Sequence, residues 1–300
     1  MTRSWTAAQL TDQSGKVAVV TGGNSGIGFH TARELAAHGA RVVIACRNVD
    51  AGREASEKMT GDVTVEQLDL ASQASVADFA ARWDGPLDLL VNNAGVMNPP
   101  AYRTTADGHE LMFGTNHLGH FALTGHLLPA LLESPSPRVV TVSSLAHFGG
   151  TDKVLEANPE QGYVPEPYYG NSKLANILFA RELQRRATEA GSPLVSTAAH
   201  PGISATGLVG DPNGMGANPF VRAVAPYVLP IIFQSGAKGA NPSLYAATEA
   251  APGSYTGPLQ FRQTRGRIGE ARLSRYARDE DLGRRLWALS EEKTGVSFAF

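Results

Sequence analysis

Two side chains four residues apart, Tyr169 and Lys173, form the pair in this sequence best suited to proton transfer. Apolar spacing in the segment YYGNSKLANILFARELQRR predicts a helix over 170–188. Residues four apart on a helix share one face, so the lysine ammonium is expected beside the phenol. A neighbouring ammonium favours the phenolate and should lower the pKa of Tyr169 from its usual value of about 10. Tyr169 would then serve as a general acid or base near neutral pH.

Polar side chains also follow two predicted strands. The segment RVVTVSSLAH places Ser143 and Ser144 at the end of one strand, and VNNAG places 92–95 at the end of another. Hydroxyls and amides at such positions can face a ligand or cap the following turn. Tyr168 would lie on a different side of its helix from Lys173, so it is the poorer acid/base candidate.

A glycine-rich turn, TGGNSGIG, runs from Thr21 to Gly28 between an apolar run and a helical pattern. Glycines at a strand-to-helix turn leave backbone amides accessible, which suits a phosphate held at the helix N-terminus. The spacing is T-G-x-x-x-G-x-G and departs from the common G-x-G-x-x-G. A tight turn into a closely packed helix, without a ligand, is the alternative interpretation.

Short β-branched runs alternate with helical patterns through most of the chain. The helix after the glycine turn is predicted to stop at Gly39, acting as a C-cap. This alternation predicts an α/β fold, a doubly wound parallel sheet of Rossmann type with helices on both faces, in a single domain over 1–300. The predicted strands are 16–21, 41–46, 63–68, 87–91, 138–143 and 194–199.

Two stretches interrupt this rhythm, 149–167 and 207–235, and both follow strands. Open α/β sheets bind ligands at the carboxyl ends of their strands, so we expect both stretches near a substrate pocket rather than as neutral surface insertions. The second stretch is apolar, which predicts a lid over a lipophilic substrate; packing onto the fold or onto a partner subunit is an equal alternative.

Composition narrows the class of protein. A chain of 300 residues with a net charge of -2 gives no electrostatic case for a nucleic acid or an anionic membrane as partner. A single cysteine, Cys46, excludes an internal disulfide and fits a reducing compartment. The N-terminal 15 residues lack an apolar core, and the run 223–233 is too short to span a bilayer. We therefore predict a soluble, cytoplasmic protein without a metal site.

Taken in order, the motifs resemble the short-chain dehydrogenase/reductase family in its single-domain branch. They are T-G-x-x-x-G-x-G, N-N-A-G, a helical Asn116, Ser144 and Y-x-x-x-K, and they extend from Lys16 to Gly202. The segments VVIACRN, SSLAH and SKLANILF look most like retinol-dehydrogenase and WW-domain-oxidoreductase-like members. The extended branch of epimerases and dehydratases favours T-G-x-x-G-x-x-G and a separate C-terminal domain, which this sequence does not show.

The resemblance implies a role for each motif residue. Tyr169 would be the acid in reduction and the base in oxidation, and Lys173 would lower its pKa and hold the nicotinamide ribose. Ser144 would bind the reacting oxygen, and Asn116 would position a water linking Lys173 to solvent. The resemblance also assigns cofactor contacts to Thr21, Gly22, Gly26, Ile27, Gly28, Arg47, Asn48, Asp69, Leu70, Asn93, Ala94, Gly95, Tyr169, Lys173, Pro201, Gly202, Ile203 and Thr206.

The segment ACRN predicts the cofactor preference. Dinucleotide folds that prefer NAD commonly carry an acidic residue at the end of the second strand, which repels a 2′-phosphate. By alignment with the family, that position is the neutral Cys46, and Arg47 follows. A guanidinium matches phosphate geometry, so we expect NADP (NADPH) as the cofactor. An arginine in solvent, with a site indifferent between the cofactors, is the alternative.

The sequence thus predicts an NADP-dependent oxidoreductase that moves a hydride between nicotinamide and a carbonyl/alcohol pair of a small, lipophilic molecule. A catalytically silent dinucleotide-binding sensor or scaffold, and a C=C reductase using the same residues, are the alternatives. Helix 170–188 is apolar nearly all round at its start, which fits burial in a homodimer or tetramer, or coverage by 149–167. His147 follows Ser144 closely, and we expect a surface histidine or a satisfied structural one rather than a substrate contact.

Overall fold

A computed structural model describes residues 5–203 and 235–300, and in this part of the chain one eight-stranded sheet forms the centre. The strand order is β3-β2-β1-β4-β5-β6-β7-β8, and only β8 runs antiparallel to its neighbour. The strands are β1 (Val17–Thr21), β2 (Arg41–Cys46), β3 (Val63–Gln67), β4 (Leu89–Asn92), β5 (Arg138–Val142), β6 (Val195–Ala199), β7 (Tyr255–Gln260) and β8 (Arg265–Glu270).

Helices cover both faces of this sheet, which confirms the predicted doubly wound class. Alternate residues of a strand point to opposite faces, so Val19 packs toward one layer while Ala18 and Val20 pack toward the other. The helices are α1 (Gly26–Ala37), α2 (Val49–Ser56), α3 (Gln73–Ala81), the short α4 (Leu111–Phe113), α5 (Gly119–Leu132), α6 (Pro165–Glu189), α7 (Gly236–Thr248) and α8 (Glu280–Thr294). As predicted, α1 is followed by a left-handed Gly39, with φ of 98°.

The six predicted strands correspond to β1–β6, whereas β7 and β8 were missed. Both contain residues that are depleted in strands: β7 has the sequence YTGPLQ and β8 the sequence RGRIGE. In addition, β8 pairs only with β7 at the edge of the sheet, and most of its residues are exposed. No apolar alternation therefore marks it in the sequence.

A single turn of π-helix, Gly114–Leu118, separates α4 from α5. The amide of Gly119 donates to the carbonyl of Gly114, five residues back. Such π-turns are rare and are frequent at functional sites. This one carries Asn116, which is fully buried.

The mostly apolar segment 174–180 of α6 is buried within this chain, which explains why apolar residues occur on all sides of the helix. Residues Leu174 to Ala180 contact the sheet on one side and the short helices Leu145–Gly149 and Asp152–Glu156 on another. The remaining side packs against α8, where Trp287 stacks on Phe179 at a centroid distance of 5.8 Å. Part of the 149–167 insertion and the C-terminal helix therefore cover this face.

Candidate active site

The carboxyl ends of β1, β4 and β5 meet at one edge of the sheet, where α6 also begins. They carry Thr21, Asn92 to Gly95 and the serine pair. The first turns of α6 bring Tyr169 and Lys173 to the same place, with the lysine Nζ 5.7 Å from the centroid of the tyrosine ring. The hydroxyl of Ser144 lies near the Tyr169 phenol and acts to lower its pKa. The structure thus brings Ser144, Tyr169 and Lys173 together.

The ionisation of Tyr169 differs from the expectation drawn from the sequence. Tyr169 is 8% exposed, and burial raises its pKa to about 12, against a smaller opposing effect of the Ser144 hydroxyl. The nearby Lys173 does not offset this effect of burial: its Nζ lies over the ring and donates to the Val142 carbonyl at 3.3 Å. Burial also lowers the pKa of Lys173 to about 8. At neutral pH Tyr169 therefore holds its proton.

The two neighbouring serines have different partners. Ser143 is buried, and its Oγ donates to the Lys173 carbonyl at 2.7 Å, which ties β5 to α6. Ser144 is half-buried, caps the next helical turn by accepting from the amide of Ala146 at 3.2 Å, and contacts Tyr169. Ser144 is the member of the pair that faces Tyr169.

Asn116 uses its whole side chain to hold neighbouring segments. Its Nδ2 donates to the Val96 carbonyl at 2.9 Å and to Ser172 Oγ at 3.0 Å, and its Oδ1 accepts from the Val96 amide at 2.7 Å. The backbone of Gly95 fits tightly here, since a Cβ would lie 3.0 Å from Asn116 Oδ1 and 3.5 Å from Lys173 Nζ. Asn116 therefore fixes the loop after β4 against α6.

The glycine turn combines left-handed backbone with close packing, and its first glycine, Gly22, donates its amide hydrogen to the Ala45 carbonyl at 2.8 Å. Gly22 and Gly26 have φ of 64° and 55°, a conformation that other residues rarely adopt. At Gly28 a Cβ would lie 2.4 Å from Asn93 Nδ2 and 2.5 Å from the Gly22 carbonyl oxygen. The turn thus makes a cradle that side chains would fill, next to the partly buried Ile27.

The end of β2 shows the expected absence of an acidic side chain. Cys46 is buried, and its Sγ donates to the Asn48 carbonyl at 3.2 Å. Arg47 is exposed and makes no ion pair with any residue the structure describes. The side chain of Asn48 caps α2 by accepting from the amide of Ala51 at 3.1 Å. Arg47 is the charged residue among these three, and its exposed guanidinium is accessible to a ligand.

The other residues to which the family resemblance assigns cofactor contacts follow strands β3 and β6. Asp69 is partly buried and accepts from the Ala71 amide at 3.0 Å, while Leu70 packs into the core. Pro201 and Gly202 follow β6, and a Cβ on Gly202 would lie 2.2 Å from the Thr264 carbonyl oxygen. Ile203 is 41% exposed. Thr206 and the stretch 207–234 lie outside the described residues, so the lid prediction stays a prediction.

Comparison with known proteins identifies the chain. A family model described as short chain dehydrogenase matches residues 16–214. The chain belongs to this family. It is therefore an oxidoreductase of a family that uses NAD(P) and acts on small molecules.

Relatives of known name or structure cover nearly the whole chain. Retinol dehydrogenase 12 of Mus musculus is 38% identical over 95% of this chain and 88% of its own length. Retinol dehydrogenase 11 of Homo sapiens is 39% identical over 94% of this chain and 86% of its own length. A crystal structure of an uncharacterised protein from Mycobacterium paratuberculosis has a TM-score of 0.83 and 42% identity, covering 99% of this chain and 100% of that one.

An apolar wall beside Tyr169 was not predicted residue by residue. In this short-chain dehydrogenase, Tyr169 packs in a cluster with Val96, Met112 and the partly buried Met97 and Tyr163. Tyr163 comes from the 149–167 insertion, which the sequence placed near the substrate site without naming a residue. Its hydroxyl donates to a carbonyl of the loop after β4, at Pro99, over 2.8 Å.

A buried carboxylate anchors that insertion to the site. Glu110 is 1% exposed, caps α4 by accepting from two amides, and accepts from Asn158 Nδ2 at 2.9 Å. Asn158 is left-handed, with φ of 57°, and its Oδ1 accepts from Asn171 Nδ2 of α6 at 3.2 Å. Burial raises the pKa of Glu110. The spacing between Glu110 and Asn158 gives no signal in the sequence.

His147 is a satisfied structural histidine, as expected. The side chain is fully buried, its Nδ1 donates to the Ser144 carbonyl at 2.8 Å, and its Nε2 accepts from the Ser274 amide at 3.3 Å. It therefore supports the backbone at Ser144 and Ser274.

Acid should destabilise this dehydrogenase through its buried histidines. Burial lowers the pKa of His117 and His200 to about 3, and of His120 and His147 to about 4. Below about pH 6.5 the unfolded chain binds protons that the folded chain does not, so the free energy of unfolding falls as pH falls, by up to about 1.4 kcal/mol per pH unit for each ring. Urea unfolding from about pH 7 to about pH 4.5 measures this loss, and a constant free energy of unfolding over that range would contradict it.

The described residues contain neither a cluster of metal-binding side chains nor a helix suited to a membrane. No three histidine, cysteine or acidic side chains there are grouped so as to hold a metal ion. None of the helices over 5–203 and 235–300 has the length and apolarity to cross a bilayer.

Proposed function

We propose that this chain is an NADP-dependent oxidoreductase that transfers a hydride between nicotinamide and the carbonyl/alcohol pair of a lipophilic small molecule, with Tyr169 as general acid/base. The observation that carries the proposal is the convergence of Ser144, Tyr169 and Lys173 beside the glycine turn. A sensor or scaffold that only binds a dinucleotide has no physical need for a proton donor buried against a lysine.

The residues present fit a dinucleotide. Gly22 and Gly26 adopt left-handed conformations in the turn at the N-terminus of α1, where a phosphate would bind. The close approach at Gly28 excludes any side chain, and Asn93 and Ala94 lie against the turn. Lys173 would hold the nicotinamide ribose, and Arg47 would hold the 2′-phosphate. The bound nicotinamide supplies or accepts the hydride.

Side chains of the protein carry out the proton transfer. In reduction Tyr169, which is protonated at neutral pH, donates its proton to the substrate oxygen, while Ser144 donates a hydrogen bond to that oxygen. The phenolate left behind lies next to Lys173, whose ammonium persists up to about pH 8 and stabilises it. Asn116 keeps the loop after β4 in register with α6. In oxidation the proton moves in the opposite direction.

Two observations support a lipophilic substrate. The wall beside Tyr169 is apolar and includes Val96, Met97 and Met112. In addition, several relatives carry the name retinol dehydrogenase. We further propose a cytoplasmic enzyme; a homodimer or tetramer would have to use a surface other than the face of α6 covered by α8.

Oxidation of NADPH, followed by absorbance with a panel of carbonyls, tests the function. We expect turnover with long-chain and aromatic aldehydes or ketones and much weaker turnover with short polar ones, with the alcohol as product. Cofactor binding without turnover of any carbonyl or alcohol would leave the scaffold alternative. A saturated ketone formed from an enone would favour the C=C reductase.

Replacement of the two serines by alanine should separate their roles. Ser144→Ala is expected to lower kcat by about a hundredfold, because losing a donor to a developing oxyanion costs about 3 kcal/mol. Ser143→Ala removes the buried bond to the Lys173 carbonyl and should lower stability more than kcat. Steady-state kinetics and urea unfolding of both variants provide the comparison; equal effects on kcat, or the reverse order, would reassign the role.

A further inference from the structure

A histidine outside the proposed reaction connects the two halves of the site. His120 lies on α5 and is 1% exposed. Its Nε2 lies 2.9 Å from Thr21 Oγ1, at the start of the glycine turn. Its Nδ1 lies 3.0 Å from the carbonyl oxygen of Asn116, in the π-turn. One ring thus spans the distance between the cofactor side and the proton-transfer side.

The partners of His120 fix its protonation. A backbone carbonyl only accepts, so Nδ1 carries hydrogen and donates to Asn116. Thr21 Oγ1 already accepts from the amides of Asn93 at 2.8 Å and Ala94 at 2.9 Å, which occupies both of its lone pairs. Nε2 therefore does not donate to that oxygen. The threonine hydroxyl has two acceptors in reach, Nε2 at 2.9 Å and the Val91 carbonyl at 3.3 Å, and the nearer of the two is Nε2. The ring is therefore neutral, with hydrogen on Nδ1.

These bonds form one directed chain through the molecule. It runs from the amides after β4 to the Thr21 hydroxyl, through the His120 ring, to the Asn116 carbonyl. Thr21 belongs to β1, and the π-turn that carries Asn116 joins α4 to α5. The loop after β4 already joins these two segments indirectly, through the bonds of Thr21 to Asn93 and Ala94 and of Asn116 to Val96, and the His120 ring adds a direct connection. Burial of the ring, and the nearby positive charge of Lys173, both lower its pKa, which agrees with the neutral form.

We infer that His120 is a positioning residue, which holds the glycine turn and the Asn116 π-turn at the separation that cofactor binding and proton transfer require. The inference rests on the proposed function. It is distinct from a role in catalysis, because the hydrogen bonds of His120 go to Thr21 and to the Asn116 backbone and not to Tyr169.

Two substitutions of His120, by asparagine and by glutamine, each keep one of its two hydrogen bonds and remove the other. In His120→Asn the amide nitrogen stands where Nδ1 was, so the bond to Asn116 is kept and that to Thr21 is lost. We expect the Kd for NADPH to rise about fivefold, the equivalent of one lost hydrogen bond, with little change in kcat. In His120→Gln the amide reaches the position of Nε2 and keeps Thr21 only, so we expect kcat to fall about 10- to 100-fold with an almost unchanged Kd. His120→Phe should show both effects.

His117 provides a matched control. It lies one turn earlier, is equally buried, and bonds only to Ser290 of α8 on its Nε2 side, at 2.7 Å. His117→Phe should lower the midpoint of urea unfolding to a similar extent without changing Kd or kcat. If folded His120→Phe matched His117→Phe in Kd and kcat, the positioning role would be wrong.

Nitrogen NMR of the histidine rings provides a readout that needs neither turnover nor ligand. The parent protein should show the His120 resonance, assigned by its loss in the asparagine and glutamine variants, as a neutral ring protonated at Nδ1. A ring protonated at Nε2 would overturn the inference even if His120→Phe does not fold. A parent that binds NADPH but turns over no substrate would refute the proposed function, while Kd and the tautomer would still decide on His120.

Discussion

Replacement of Tyr169 by phenylalanine is expected to lower kcat about 100- to 10,000-fold, because the variant lacks the proton that general acid catalysis transfers. The ring remains, so its packing against Val96 and Met112 is kept. The Kd for NADPH should therefore stay close to that of the parent. Stopped-flow or steady-state absorbance with a good carbonyl substrate measures kcat, and quenching of protein fluorescence measures Kd.

The neighbouring tyrosine supplies the control. The hydroxyl of Tyr168 donates to the Pro159 carbonyl at 2.7 Å, away from Lys173. Tyr168→Phe should therefore retain kcat within about twofold, since only a partly exposed hydrogen bond is lost. Near-parental turnover in Tyr169→Phe, or a larger loss in Tyr168→Phe, would refute the assignment of the acid.

Reversal of the cofactor preference is the second large effect expected. A charge-assisted hydrogen bond from Arg47 to a 2′-phosphate is worth about 1.5–3 kcal/mol, which corresponds to a preference for NADP over NAD of about tenfold to more than a hundredfold. Cys46→Asp combined with Arg47→Ile removes the attraction and adds a repulsion. The kcat/KM ratio for the two cofactors should therefore invert. A parent enzyme that favours NAD would refute this role of Arg47.

Single substitutions separate the two contributions. Arg47→Ile alone should lose the preference for NADP without gaining activity with NAD. Cys46 is buried, so an aspartate there also pays a cost of desolvation, and urea unfolding of Cys46→Asp is needed beside the kinetics. Arg47→Lys keeps a charge but not the planar fork, so it should retain part of the preference.

The sequence predicted the fold where the local pattern and the tertiary environment agree. Buried parallel strands such as β1 and β2 are continuous apolar runs, and each is followed by a turn signal, so their ends were placed within about two residues. The β7–β8 hairpin was missed because its residues contradict strand propensity and are held by their neighbours instead.

The site also contains residues that a local motif predicts and contacts that only the assembled fold creates. The glycines and the Y-x-x-x-K pair were predicted because each is a local motif with a chemical reason for its spacing. The raised pKa of Tyr169 was not predicted, because burial on all sides is a property of the assembled fold. This burial outweighs the effect expected from the nearby Lys173 ammonium. The contacts of Glu110 with Asn158, and of His120 with Thr21, join segments far apart in the chain, so no window of sequence contains them.

The packing of α8 on α6 has a consequence for synthesis on the ribosome. The aromatic faces of Phe121 and Phe179 are covered by Trp287, which is translated roughly 100 residues after α6 has emerged. At about 5–20 residues per second, these faces stay uncovered for about 5–20 s in each nascent chain. During that interval the incomplete chain exposes an apolar aromatic surface, and such surfaces make folding intermediates prone to aggregation. A stop codon before α8 would make that exposure permanent.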